Sequence, residues 1–182
     1  MARIIVFGVS GVGKTTACRH YVARHPNYVH LSASALIREA TGASVADLQL
    51  ASVDRLLANQ SILHDALEAK LRNSGVSNFI LDGQCVLDNG KELVVLDVEL
   101  VAPFSPAGLI LLEASAQEIV RRRAADERQR PYRTEQEILV QIQMNRDAVQ
   151  SYAVDLGIRF VVAEANSPLS LEGPMAEVLG SL

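Results

Sequence analysis

The stretch from Ile4 to Thr16, IIVFGVSGVGKTT, places three glycines and a serine around one lysine directly behind an apolar run. Residues 4–7 read as a buried strand, and a helical pattern opens at Lys14. Gly8, Gly13, Lys14 and Thr15 satisfy the spacing G-x-x-x-x-G-K-[ST] between that strand and that helix, which is the context a phosphate-binding loop requires. Glycines let successive backbone N–H groups curl inward around phosphate oxygens, where a Cβ would obstruct the turn. The helix at Lys14 points its positive end at the same anion. The candidate cradle is therefore Gly8, Ser10, Gly11, Val12, Gly13, Lys14, Thr15 and Thr16. Lys14 would reach the β- and γ-phosphates of ATP, and the Thr15 hydroxyl would ligate magnesium. A glycine-rich turn that binds nothing is the alternative.

Strand-length apolar runs recur at 28–31, 78–81, 109–112 and 159–163, separated by helical patterns near 14–25, 33–41, 53–73, 115–127, 134–155 and 170–181. Continuous apolar strands alternating with helices predict a parallel sheet covered on both faces. The expected fold is α/β: a three-layer P-loop NTPase with a five-stranded, mostly parallel sheet. Residues 84–106 break the rhythm, and Asp88-Asn89-Gly90 between apolar stretches predicts a small hairpin excursion.

At 182 residues the chain suits a single domain. A net charge of −4 argues against a general nucleic-acid partner, as does the scarcity of aromatic residues. Cys18 and Cys85 suggest neither a disulfide framework nor a metal site; they read as small buried hydrophobes in a reducing compartment. No apolar run approaches the ~20 residues of a membrane span, and a soluble cytoplasmic protein is expected. The four histidines form no metal-ligand spacing and read as surface or core residues.

Positive charge is concentrated in one place. Arg121, Arg122, Arg123, Arg128, Arg130 and Arg133 lie in "RRRAADERQRPYR", and Pro131 should end or bend the helix there. This predicts an Arg-rich lid over about 124–135, with Arg128 and Arg130 on the transferring phosphate. Arg122 reads as a surface residue, and pairing with Glu118, Asp126 and Glu127 is the competing explanation for the cluster. Asp82, in "NFILDGQ", ends a buried strand where ligands gather in open parallel sheets. It can hold magnesium through water, or simply cap a turn with Gly83.

"GVSGVGKTT", "HLSASALIREATG", "FILDGQ", "RRRAADERQR" and "QMNRDAVQSYAVDLGIRFVVAEAN" together resemble archaeal-type adenylate kinases and related small P-loop nucleotide kinases, in the same order along nearly the whole chain. The resemblance implies transfer of the γ-phosphate of MgATP to a nucleoside monophosphate, bound by a segment over about 32–75. It places Arg38 on the acceptor's phosphate, Arg128 and Arg130 in the lid, Arg146 facing the phosphates and Asn166 against adenine. Arg38 could instead pair with Glu39, Arg146 with Asp147 or Asp155, and Asn166 could be a turn residue. Many adenylate kinases carry an arginine shortly after the aspartate of the third strand, and the archaeal type usually has a histidine where this chain has Gln84. Gln84 can hydrogen-bond an acceptor but supplies no charge. Two other readings stay open. One is a kinase of a small hydroxyl metabolite with Asp82 as base; the other is an NTP-hydrolysing switch with no acceptor.

Overall fold

The apolar runs become five parallel strands: β1 (Arg3–Phe7), β2 (Tyr28–Ser32), β3 (Asn78–Asp82), β6 (Gly108–Glu113) and β7 (Arg159–Glu164). They stand in the order β2-β3-β1-β6-β7. The computed structural model describes residues 2–44, 47–48, 52–75, 77–126, 130–165 and 169–180. β1 lies at the centre, with Val6 beside Asp82 on one flank and Phe7 beside Leu111 on the other. The register brings the carboxyl ends of β1 and β3 to one level, and the loops leaving them share one edge of the sheet.

Helices cover both faces because every central strand is apolar on both sides. On one face α1 (Lys14–Val22), α4 (Ala116–Ala124) and α6 (Glu172–Val178) bury Ala17, Cys18, Ile119 and Met175 against Ile4, Val6, Ile80 and Ile110. On the other, α2 (Ala33–Thr41), α3 (Val53–Ser74) and most of α5 (Glu135–Leu156) bury Ile37, Leu63, Leu67 and Val149 against Ile5, Phe7, Phe79 and Leu81. Both cysteines are buried and free. α1 stops at Val22 rather than near 25, because the N–H groups of Arg24 and His25 turn back onto the carbonyl of Tyr21. α5 starts where Thr134 and Glu137 form a reciprocal capping box, which fixes the exit of the Arg-rich segment.

Residues 84–106 are the departure from strict alternation. β4 (Val86–Asp88) and β5 (Leu93–Val95) pair antiparallel, and the five-stranded sheet itself is wholly parallel. The turn between them is built by side chains: Asn89 Oδ1 accepts from the N–H of Lys91 and Glu92, and Asp88 Oδ1 from that of Gly90. Two short 3-10 turns, Val98–Leu100 and Ala102–Phe104, return the chain to β6. Among the described residues no helix is long and apolar enough to cross a membrane.

Leucines of α3 pack into the core on its face of the sheet. Leu67 is fully buried at the middle of the helix. Leu67→Ala should lower unfolding free energy by about 2–5 kcal/mol, read from urea denaturation, and a loss under ~1 kcal/mol would mean that α3 is not packed as described.

Candidate active site

β1 delivers the chain into Gly8 at φ 147° and then to Gly13 at φ 110°, both left-handed backbone that side chains rarely adopt. A Cβ on Gly8 would collide with the backbone carbonyl of Leu112 in the neighbouring strand, and one on Gly13 would meet Leu169 at 3.0 Å. These two constraints explain why flexible residues stand at the end of a buried strand. Lys14, the first residue of α1, is 7% exposed, and its ammonium donates to the carbonyls of Gly8 (2.6 Å) and Val9 (3.3 Å). Burial pulls its pKa down from 10.5 to about 8, and the charge of Asp82 resists the fall.

Asp82 comes from β3 to the same edge and is 6% exposed. Burial disfavours its carboxylate, but a hydrogen bond from His30 and the charge of Lys14, with the Thr15 hydroxyl adding less, hold its pKa below the usual range. His30 Nε2 lies 2.7 Å from Asp82 Oδ2, so this histidine belongs to the site rather than to the plain core or surface. Its spacing in sequence could not show this, because the pair forms across the β2–β3 register. Cys18 Sγ joins them, all three ligand atoms lying within 4.8 Å of one another.

The arginines divide in a way that helical spacing does not foretell. Arg121 is the surface partner of Glu118. Arg122, expected at the surface, is half-buried and clamps the loop: it donates to the carbonyls of Val12 (2.6 Å) and Ala165 (2.9 Å) while Glu118 holds its Nε. Helical periodicity hides this, because the loop that receives Arg122 is over a hundred residues away. Arg123 lies across Gly11, donates to the Ser10 carbonyl at 2.9 Å, and is held down to about pKa 10 by burial and by neighbouring Arg130 and Arg133. Arg130 donates to Ser10 Oγ at 3.1 Å and pairs with Asp126. Arg133 is committed elsewhere, gripping Asp88 of the hairpin through two hydrogen bonds. Arg128 and Asn166 lie outside the described residues.

The residues present fit a polyphosphate. Among the described residues, Arg123 Nη1 and Arg130 Nη1 are buried without a hydrogen-bond partner, beside a loop whose own lysine is buried. Orphaned, buried guanidinium nitrogens are costly unless an anion completes them. Residues 7–139 match the AAA domain family, a span that runs from the loop through the Arg-rich segment. The chain belongs to the AAA domain family. A comparison with curated proteins finds no match. Among solved structures this family member is similar to shikimate kinase from Bacteroides thetaiotaomicron, at 17% identity and TM-score 0.58, over 99% of this chain and 95% of that one. It is also similar to the shikimate kinase of Aquifex aeolicus, at 14% and 0.59, over 98% and 95%. The third, from Acinetobacter baumannii in complex with shikimate, matches at 14% and 0.59 over 100% and 92%. These likenesses show that the chain shares the fold of those structures.

The acceptor candidates are less concentrated. Arg38 on α2 is exposed and has no ion-pair partner among the described residues, since Glu39 is taken by Lys70. Gln84, two residues beyond Asp82, is half-buried. Arg146 is engaged by Glu113 at the end of β6, with contacts of 3.1 and 2.5 Å, rather than by Asp147 or Asp155. That pairing holds its guanidinium in place and leaves it less free to grip phosphate. Glu113 became its partner through packing of α5 on β6, which no local pattern reveals.

Gly8→Ala should abolish measurable ATP binding in calorimetry and lower the melting temperature, since both the backbone conformation and the Leu112 carbonyl forbid the methyl; unchanged ATP affinity would contradict the loop geometry. Lys14 binds its proton less tightly folded (about 8) than unfolded (10.5), so the unfolded chain carries more protons between those values. The stability of the protein relative to Lys14→Met should therefore rise as pH goes from 8 to 10.5. Urea melts at pH 7.5, 9 and 10.5 test this, and a flat difference would mean the ammonium is not buried.

Proposed function

We propose that the protein transfers the γ-phosphate of MgATP to a hydroxyl of a small metabolite. The observation that carries this reading is the convergence of Lys14, Thr15 and Asp82 with two guanidinium nitrogens that have no partner among the described residues, on one edge of the sheet. Phosphoryl transfer needs mainly positioning and charge neutralisation. The loop amides and Lys14 would bind the β- and γ-phosphates, and Arg123 and Arg130 would stabilise charge on the moving phosphoryl group. Arg122 positions the loop through Val12. Thr15 and Asp82 are the residues that would hold Mg2+, which when bound neutralises the phosphate oxygens.

The acceptor side favours a hydroxyl over a monophosphate. A second phosphate dianion would call for several guanidinium groups, yet of the arginines assigned to the acceptor Arg146 is engaged by Glu113, and Gln84 replaces the charge expected after the third strand. Similarity to shikimate kinases, one of them in complex with shikimate, points to the same class. A hydroxyl must lose a proton, and Asp82, kept ionised by His30 and Lys14, would accept it wherever the metal leaves one of its oxygens free. A weak base suffices where the proton leaves late in a loose transition state. A nucleoside monophosphate acceptor is the second reading, favoured by the unengaged Arg38.

Incubation with MgATP and a panel of hydroxy acids, shikimate included, sugars and nucleoside monophosphates tests the reading. ADP and a phosphorylated alcohol are expected, and Asp82→Asn should lower kcat by about 10²-fold or more. Transfer to a monophosphate alone, or ATP hydrolysis indifferent to every acceptor, would overturn it.

A further inference from the structure

The inward face of α3 reads Leu56, Asn59, Gln60, Leu63, Leu67, Leu71, and every one of these residues is buried. Two carboxamides thus interrupt an otherwise apolar stripe. Gln60 is explained by its own helix, donating to the carbonyl of Leu56 at 3.1 Å. Asn59 is not: it is 5% exposed and has no hydrogen-bond partner among the described residues. Nor is its amide sealed, because the buried atoms that lack both partner and solvent are on Arg3, Arg123 and Arg130. Its remaining exposure therefore reaches the carboxamide.

The level of Asn59 is set by the topology. α3 ends at Ser74 and β3 begins at Asn78, so α3 runs downward to the amino edge of the sheet. Glu68 sits near that edge, 3.7 Å from Arg3 at the start of β1. Asn59 is nine residues back along the helix, about 13 Å at 1.5 Å per residue. β1 climbs a similar distance from Arg3 to Phe7, about 13 Å at 3.3 Å per residue. Asn59 therefore stands level with the carboxyl ends of the strands, where Gly8 opens the phosphate loop and Gly83 and Gln84 leave β3. Ala33, the first residue of α2, lies 3.7 Å from where a Cβ on Gly83 would be, so the same level is bounded by α2.

We infer that Asn59 is a specificity-determining residue that hydrogen-bonds the acceptor, an inference that rests on the phosphotransfer reading. A carboxamide set in an apolar stripe, open to solvent and with no partner among the described residues, is free to pair with a ligand, and an apolar residue of similar size would serve the stripe itself better. Together with the amide of Gln84 and the guanidinium of Arg38 it defines the ligand class: a small polyhydroxylated anion, its hydroxyls met by neutral amides and its carboxylate by one arginine. Such amides discriminate sharply, because an analogue lacking the matching hydroxyl leaves them unpaired again.

Asn59→Leu and Asn59→Ala test the inference, with shikimate as the first probe and the hydroxyl panel behind it. Both variants should raise KM for the alcohol acceptor at least tenfold, with a much smaller change in KM for MgATP. Asn59→Leu should also melt about 2–4 °C above wild type in the absence of ligand, since it replaces an unpaired amide. An unchanged acceptor KM in both variants, or a melting temperature several degrees lower for Asn59→Leu, would overturn the role of Asn59. Failure of the phosphotransfer reading looks different: wild type then phosphorylates no alcohol. The melting comparison still decides Asn59, a rise supporting an amide that faces a ligand and a fall refuting it.

Discussion

The structure is organised around a positive charge that it buries before any anion arrives. Lys14 is sunk at the root of the phosphate loop with its ammonium held by two carbonyls of that loop. Arg123 and Arg130 crowd in above, each with a buried nitrogen that has no hydrogen-bond partner among the described residues. Asp82 is the carboxylate whose charge acts on Lys14, and it is itself tied to His30. Placing so much like charge in a low-dielectric pocket is unfavourable until a polyanion completes it. Everything else positions that pocket: glycines without Cβ atoms beside Leu112, an Arg122 clamp, and a register that sets Asp82 beside β1.

The hairpin and the Arg-rich segment are joined in this scheme. Arg133 grips Asp88, Gln141 also donates to Asp88, and Pro131 packs near Gly90. The excursion after β3 is thus fastened to the end of the Arg-rich segment through Arg133 and Pro131. The ion pair is mostly shielded from solvent, and a partly buried bidentate pair outweighs the exposed Arg121–Glu118 contact as a fastening.

Much of the fold was legible because it rests on local rules. The apolar runs 4–7 and 78–81 and the glycine-lysine spacing specify strand, loop and helix without help from the rest of the chain. What stayed hidden was every contact that spans the sheet. Arg122 looks like a solvated helix residue until the loop at Val12 and the strand end at Ala165 are brought beneath it. His30 looks like core until β2 is laid beside β3. Asn59 looks like an error in a leucine stripe until the level of α3 against β1 is known. The resemblance to small P-loop nucleotide kinases implied the fold that the structure has, while Gln84, the Arg146–Glu113 pair and the similarity to shikimate kinase structures are what the proposal of a hydroxyl acceptor rests on.

Thermal unfolding at constant ionic strength, with and without tripolyphosphate, isolates the buried charge from all questions of acceptor and catalysis. At 100 times its dissociation constant a ligand of the folded state adds about 2.7 kcal/mol, equivalent to several degrees. Tripolyphosphate should raise the melting temperature by that order, and the rise should vanish in Lys14→Ala. No rise with tripolyphosphate or MgATP, or an equal rise in the variant, would contradict a pocket built to receive a polyphosphate.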